Sequence, residues 1–113
     1  MAHSSGTGHF RMQRLTAMLL IPLVIWFLWA LVSHAGDTRQ ELLEWLASPQ
    51  GGLPMAWIIL IGYFHMRLGL DEVIDDYVPS PSTRTTLRYV NAGAALLLGG
   101  IALWSIIYAG LYI

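Results

Sequence analysis

The chain contains no cysteine and no lysine. Without a thiol it forms no disulfide, ligates no iron–sulfur cluster and does no thiol chemistry of its own. Its positive charge is carried by arginine alone, six residues against seven acidic ones, for a net charge of -1. That balance provides no basic patch for nucleic acid. Only 12% of the 113 residues are charged while 56% are hydrophobic. A soluble domain carries about 25% charged residues. The few charges also cluster and leave long runs empty, which is the signature of membrane spans. There is no internal repeat and no low-complexity tract. The length predicts a single all-α membrane domain over residues 1–113, with no separate soluble domain.

Three runs are long enough to cross a bilayer. The first charge-free run is Leu15 to Ser33. As a helix it covers ~28 Å, close to the ~30 Å hydrocarbon core. Pro22 lies within it, and membrane helices tolerate proline because neighbouring groups re-satisfy the backbone. Arg11 and Arg14 before the run, and Ser33-His34-Ala35 after it, also resemble the flanks of a signal peptide. The run exceeds a signal core of about 7–15 residues, so a retained anchor is expected. The second span is expected over about 53–77, apolar through Phe64 and then mixed. The third is expected over about 89–112, with Asn91 as its one amide.

Arginine sets the orientation. Arg11 and Arg14 precede span one, Arg84 and Arg88 separate spans two and three, and the first loop holds only Arg39. The N-terminus and second loop are therefore expected in the cytoplasm, and the C-terminus on the periplasmic side of a bacterial inner membrane. In the first loop, Asp37 is a candidate N-cap. The stretch 38–47, with Leu42, Leu43, Trp45 and Leu46 on one side, reads as an interfacial helix. Gly51, Gly52 and Pro54 then read as a turn, as do Pro79 to Thr83. The tryptophans and tyrosines read as lipid anchors and packing groups.

Four histidines are possible metal or haem ligands: His3, His9, His34 and His65. His3 and His9 fall in a polar, mobile tail and His34 at the outer interface, and none of the three receives a role. His65 alone lies inside an apolar run. An ionisable residue at membrane depth marks a functional site by default, although a neutral histidine bonded to a neighbouring helix would look the same. Gly69 sits one turn later on the same face, where it makes room either for a flat ring or for close helix packing. Asp76 is eleven positions beyond His65 and returns to nearly the same face, ~17 Å further along. Asp76-Tyr77 reads either as part of that stripe or as a solvated helix end. Arg67 points the opposite way and reads as snorkelling or pairing with an acid of a partner. Asp71, Glu72 and Asp75 read as a solvated or subunit-facing acidic surface. Gly93, Gly99 and Gly100 read as helix packing.

The stretch His65-Met-Arg-Leu-Gly-Leu-Asp-Glu-Val-Ile-Asp-Asp-Tyr-Val resembles the signature of the succinate dehydrogenase hydrophobic membrane anchor, the D subunit. That family carries a histidine, a glycine four residues later, and an Asp-Tyr pair eleven and twelve residues after the histidine. Arg14-Leu-Thr-Ala resembles the arginine-led segment that opens the family's first span. The resemblance extends over roughly residues 11 to 113. It implies a three-helix contribution to a bundle shared with a cytochrome b-type partner anchor, the C subunit. His65 would be one axial ligand of haem b, its iron held from the other side by the partner, with Gly69 packing beside the ring. Tyr77 would hydrogen-bond ubiquinone, Asp76 would lie near it and help deliver protons, and Arg14 would sit near the haem propionates or the quinone. The chain would be a non-catalytic anchor. The flavoprotein and iron–sulfur subunits would do the succinate chemistry. A fumarate reductase anchor fits the same pattern, and a cofactor-free assembly protein or a small transporter lined by His65 and Asp76 are the readings from other classes.

Overall fold

The computed structural model describes residues 2–112, with side chains from residue 8 onward. It consists of four helices: α1 (Ala2–Ser33), α2 (Arg39–Ala47), α3 (Pro49–Tyr77) and α4 (Pro81–Tyr112). No strand occurs among the described residues. Three helices are long and apolar enough to cross a membrane: Gly8–Ser33 within α1, then α3 and α4. The long dimension, 49 Å, matches one 32-residue helix. It exceeds the ~40–45 Å of a bilayer with its headgroups.

Each helix runs past the apolar run that announced it. Backbone hydrogen bonding continues through the flanking arginines, so α1 starts well before Leu15 and α4 starts at Pro81. His9, expected in a mobile tail, is part of α1 and lies 3.9 Å from Glu72. The side chain of His3 lies outside the described residues.

The connection from α2 to α3 is a corner, not a glycine turn. Ser48 alone separates the two helices, and Pro49 opens α3, where its missing N–H loses nothing. Gly51, Gly52 and Pro54 are inside α3. A Cβ on Gly51 would collide with the Trp45 carbonyl and indole, and one on Gly52 with the Leu46 carbonyl. Those glycines let the backbones meet. At the other end of α2 the N-cap is Thr38, not Asp37. The Thr38 hydroxyl accepts from the Glu41 N–H, and the Glu41 carboxylate accepts from the Thr38 N–H, a capping box. Asp37 instead bonds His34 Nδ1 at 2.6 Å, and His34 stacks on Trp45, which stacks on Trp26.

The long helices form a row. α3 packs on both α1 and α4, while among the described residues the α1 and α4 backbones do not approach within 8 Å of one another. A row leaves wide outer faces, and these are apolar: Val32, Leu96, Leu97 and Leu111 are all exposed. What the chain buries is mostly small or polar, with Leu68 the one large apolar side chain among the described residues. Ala30, Ala95 and Ala109 are buried, as are Thr16, Asp71 and Asn91. This inversion of the soluble pattern belongs to a lipid solvent. Helices there associate through small residues and hydrogen bonds, because burying apolar groups brings no gain over lipid.

Candidate functional site

The antiparallel α1/α3 seam holds three matched layers. His9 lies near Glu72, Gln13 lies over Gly69, and Thr16 meets His65. The pattern follows from spacing. Positions 9, 13 and 16 share one face of α1, and 65, 69 and 72 share one face of α3. His65 is half-buried, and its Nδ1 lies 2.8 Å from Thr16 Oγ1. Thr16 is 4% exposed, and its hydroxyl is also 2.8 Å from the Met12 carbonyl. At Gly69 a Cβ would stand 3.2 Å from Gln13 Nε2, so the glycine admits the α1 amide. Two buried polar atoms in this seam have no protein partner, His9 Nε2 and Gln13 Oε1.

The acidic stretch beyond His65 is divided among neighbours, which corrects the reading of one acidic surface. Asp71 faces α4 and is buried, accepting from Asn91 Nδ2 at 3.0 Å. The same Asn91 amide donates to the Arg67 carbonyl at 2.9 Å. Arg67 Nε is 3.9 Å from Asp71, so its acidic neighbour lies one turn along its own helix. Glu72 turns to α1, and Asp75 accepts from Arg88 of α4 at 2.8 Å. These directions follow from the 100° step of the helix, which sends 71 and 75 to one neighbour and 72 to the other.

Asp76 and Tyr77 lie at the same end of the bundle as the α1 N-terminus. Asp76 is exposed, and Tyr77, the last residue of α3, is 80% exposed. Arg14 is exposed, with its guanidinium 5.7 Å from the Phe10 ring centre. Arg84 and Arg88 open α4 at that same end. The structure therefore joins His65 and Gly69 in one seam, with Asp76 and Tyr77 exposed at the end of α3 and Arg14 exposed on α1 deeper along the bundle, level with the stretch between His65 and Gly69. Sequence reasoning missed Thr16 and Gln13. The signal was present, because both are polar and lie on the α1 face that a helical wheel through His9 marks. An open apolar groove of about 300 Å³ also lies between α3 and α4, bordered by Tyr63, Phe64, Gly99 and Gly100. Among the described residues no three His, Cys, Asp or Glu side chains converge. A metal centre built on this chain would draw ligands from elsewhere.

Comparison with known proteins identifies relatives of this chain. The chain is 28% identical to a succinate dehydrogenase hydrophobic membrane anchor subunit of Rickettsia bellii over 83 residues, covering 74% of this chain and 66% of that protein. The match thus spans just under two thirds of that relative's length. The protein of the same name from Rickettsia felis is 28% identical over 76% of this chain and 72% of its own length. That of Paracoccus denitrificans is 25% identical over 95% of this chain and 76% of its own. No solved structure gives a significant match. The profile of the succinate dehydrogenase/fumarate reductase transmembrane subunit family matches residues 1–107, and the chain belongs to that family.

Proposed function

We propose that this chain is the membrane anchor of a succinate dehydrogenase, providing one axial ligand to haem b and part of a ubiquinone site. The observation that carries the reading is His65. It is an imidazole in the second apolar helix, with one ring nitrogen engaged by a buried hydroxyl. The donor set fits a haem. A neutral imidazole is a good axial ligand, and Nδ1 already has the outer partner that such ligands use. A haem site can be shared between two chains, each contributing one ligand, which suits a chain offering a single imidazole at membrane depth. His65 would hold the iron, with Gly69 keeping the seam thin beside it. The partner cytochrome b-type anchor would give the second ligand. Bound haem takes up and passes on one electron at a time.

The exposed candidates would handle quinone. The Tyr77 phenol would donate a hydrogen bond to a quinone oxygen, strengthening as negative charge builds there. Asp76 would hold a proton beside it, and Arg14 would add positive charge from α1. Tyr77 lies ~18 Å along α3 from His65, so quinone would stay near the surface while haem lies deeper. That surface is where the iron–sulfur subunit would dock, with the flavoprotein behind it. The arginines at this end support a cytoplasmic location for it, in a bacterial inner membrane. The C-terminus would then face the periplasm. The span limits would be near the apolar runs, about 15–33, 53–77 and 89–112, with α2 at the outer interface.

A reduced-minus-oxidised absorption spectrum of the complex purified in mild detergent tests the haem reading. A b-type signal lost in His65→Ala is expected, and a signal that persists in that variant rules His65 out as ligand. Tyr77→Phe is expected to lower quinone reduction about ten-fold or more with haem and assembly unchanged. Full quinone reductase activity in that variant removes Tyr77 from the site.

A further inference from the structure

We infer that Thr16 is a positioning residue for His65: its hydroxyl selects the ring tautomer that leaves Nε2 free to bind iron. The inference rests on the reading of His65 as a haem ligand. It begins from three short distances at one oxygen. Thr16 Oγ1 is 2.8 Å from the Met12 carbonyl, 3.1 Å from the Gln13 carbonyl and 2.8 Å from His65 Nδ1. A hydroxyl has one proton to donate and two lone pairs to accept with.

Two assignments compete. If Thr16 donates to His65 Nδ1, its proton is spent there and one hydrogen bond forms. If Thr16 donates to the Met12 carbonyl, the usual habit of threonine in a helix, its oxygen can accept from Nδ1–H, and two form. In a site where Thr16 is 4% exposed, water cannot make up the difference. The two-bond arrangement is favoured by about 1 kcal/mol or more for the additional bond. It puts the proton of the neutral imidazole on Nδ1, so the lone pair is on Nε2. Ring geometry then aims that lone pair away from Thr16. The bond to the Met12 carbonyl, 2.8 Å away, holds the oxygen in line.

The relay Met12 carbonyl, Thr16 hydroxyl, His65 imidazole thus ties the ligand to the α1 backbone. An acceptor on Nδ1–H also fixes the orientation of the ring and so the direction of the Nε2 lone pair. Without it the ring can turn, or take its proton on Nε2, where it competes with the metal.

The test uses the whole complex purified in mild detergent, with transfer of haem to excess apomyoglobin as the first readout. Thr16→Val keeps the shape and removes the oxygen. Haem is expected to leave about ten-fold or more faster, and the low-spin ferric electron paramagnetic resonance signal is expected to move. Thr16→Ser keeps the oxygen and is expected to restore both readouts to the parent values. If valine prevents assembly, Thr16→Ala removes the oxygen without adding bulk and the same results are expected. Parent-like haem transfer and resonance in Thr16→Val overturns the inference. So does a Thr16→Ser variant as leaky as Thr16→Val, or failure of both valine and alanine variants to assemble, since Thr16 would then serve folding. A b-type signal that survives His65→Ala is a separate failure, that of the ligand reading itself.

Discussion

The two faces of α3 are both polar, yet they are built differently. Toward α4, the polar groups close on one another. Asn91 spans Asp71 and the Arg67 carbonyl, and Arg88 reaches Asp75. Toward α1, the matching is looser. His9 and Glu72 meet only at 3.9 Å, and His9 Nε2 and Gln13 Oε1 are left unpartnered. A membrane interior punishes unpaired polar groups, so the closed face reads as a fastening. The open face keeps polar capacity in reserve around the histidine. The lesson is that polarity inside a span does not by itself mark a functional site. Here the face toward α4 is satisfied within the chain, whereas the face toward α1 leaves His9 Nε2 and Gln13 Oε1 without a protein partner.

The sharpest way to break this contrast is to remove one key residue from each face. His65→Ala on the open face is expected to abolish the b-type absorbance completely while the complex still purifies intact. Asn91→Leu on the closed face should do the reverse. It leaves the buried Asp71 carboxylate without its amide donor, a loss of about 1–3 kcal/mol. The expected readout is a lower thermal midpoint in detergent, with an unchanged haem spectrum in the surviving complex. A variant that loses haem from the α4 side with full stability would erase the distinction.

Smaller changes refine it. Gly69→Ala meets only the mobile end of Gln13, at 3.2 Å. The amide can give way, so haem content is expected to hold and stability to fall slightly, checked by absorbance and thermal denaturation together. The least effect is expected at Arg88→Gln. The Arg88 side chain is 51% exposed and that of Asp75 38%, and exposed ion pairs contribute about 0–1 kcal/mol. A midpoint within error of the parent is the expected outcome. A large fall would mean that this pair, and not Asn91, fastens the α4 face.

The helices were legible because each long apolar run states its own need for a bilayer. Their ends were less so. Leu15, Leu53 and Tyr89 mark where hydrocarbon-compatible sequence begins, whereas a helix continues as long as its backbone bonds do. Pro49 and Pro81 are the actual starts of α3 and α4. Both were readable as helix-opening prolines, but the nearby glycines and serines favoured turns. The capping box at Thr38 with Glu41 was equally visible in sequence, and Asp37 displaced it from attention.

The candidate site was legible in its histidine and not in its setting. His65 is conspicuous because a titratable ring in an apolar run has few explanations. Thr16 is not, because one hydroxyl in a span is ordinary. The acids 71, 72 and 75 look like one cluster when written in a line. Wrapped on a helix between two neighbours, they belong to three separate contacts.

The sequence alone determined that this protein lives in a membrane and how many times it can cross. Transfer of a segment into hydrocarbon is close to a sum over its residues, so composition along a window suffices. Tertiary structure decided which polar groups meet, Thr16 with His65 and Asn91 with Asp71. Those partners lie 49 and 20 residues apart. Their meeting depends on the rotation and register of packed helices, which no local stretch of sequence contains.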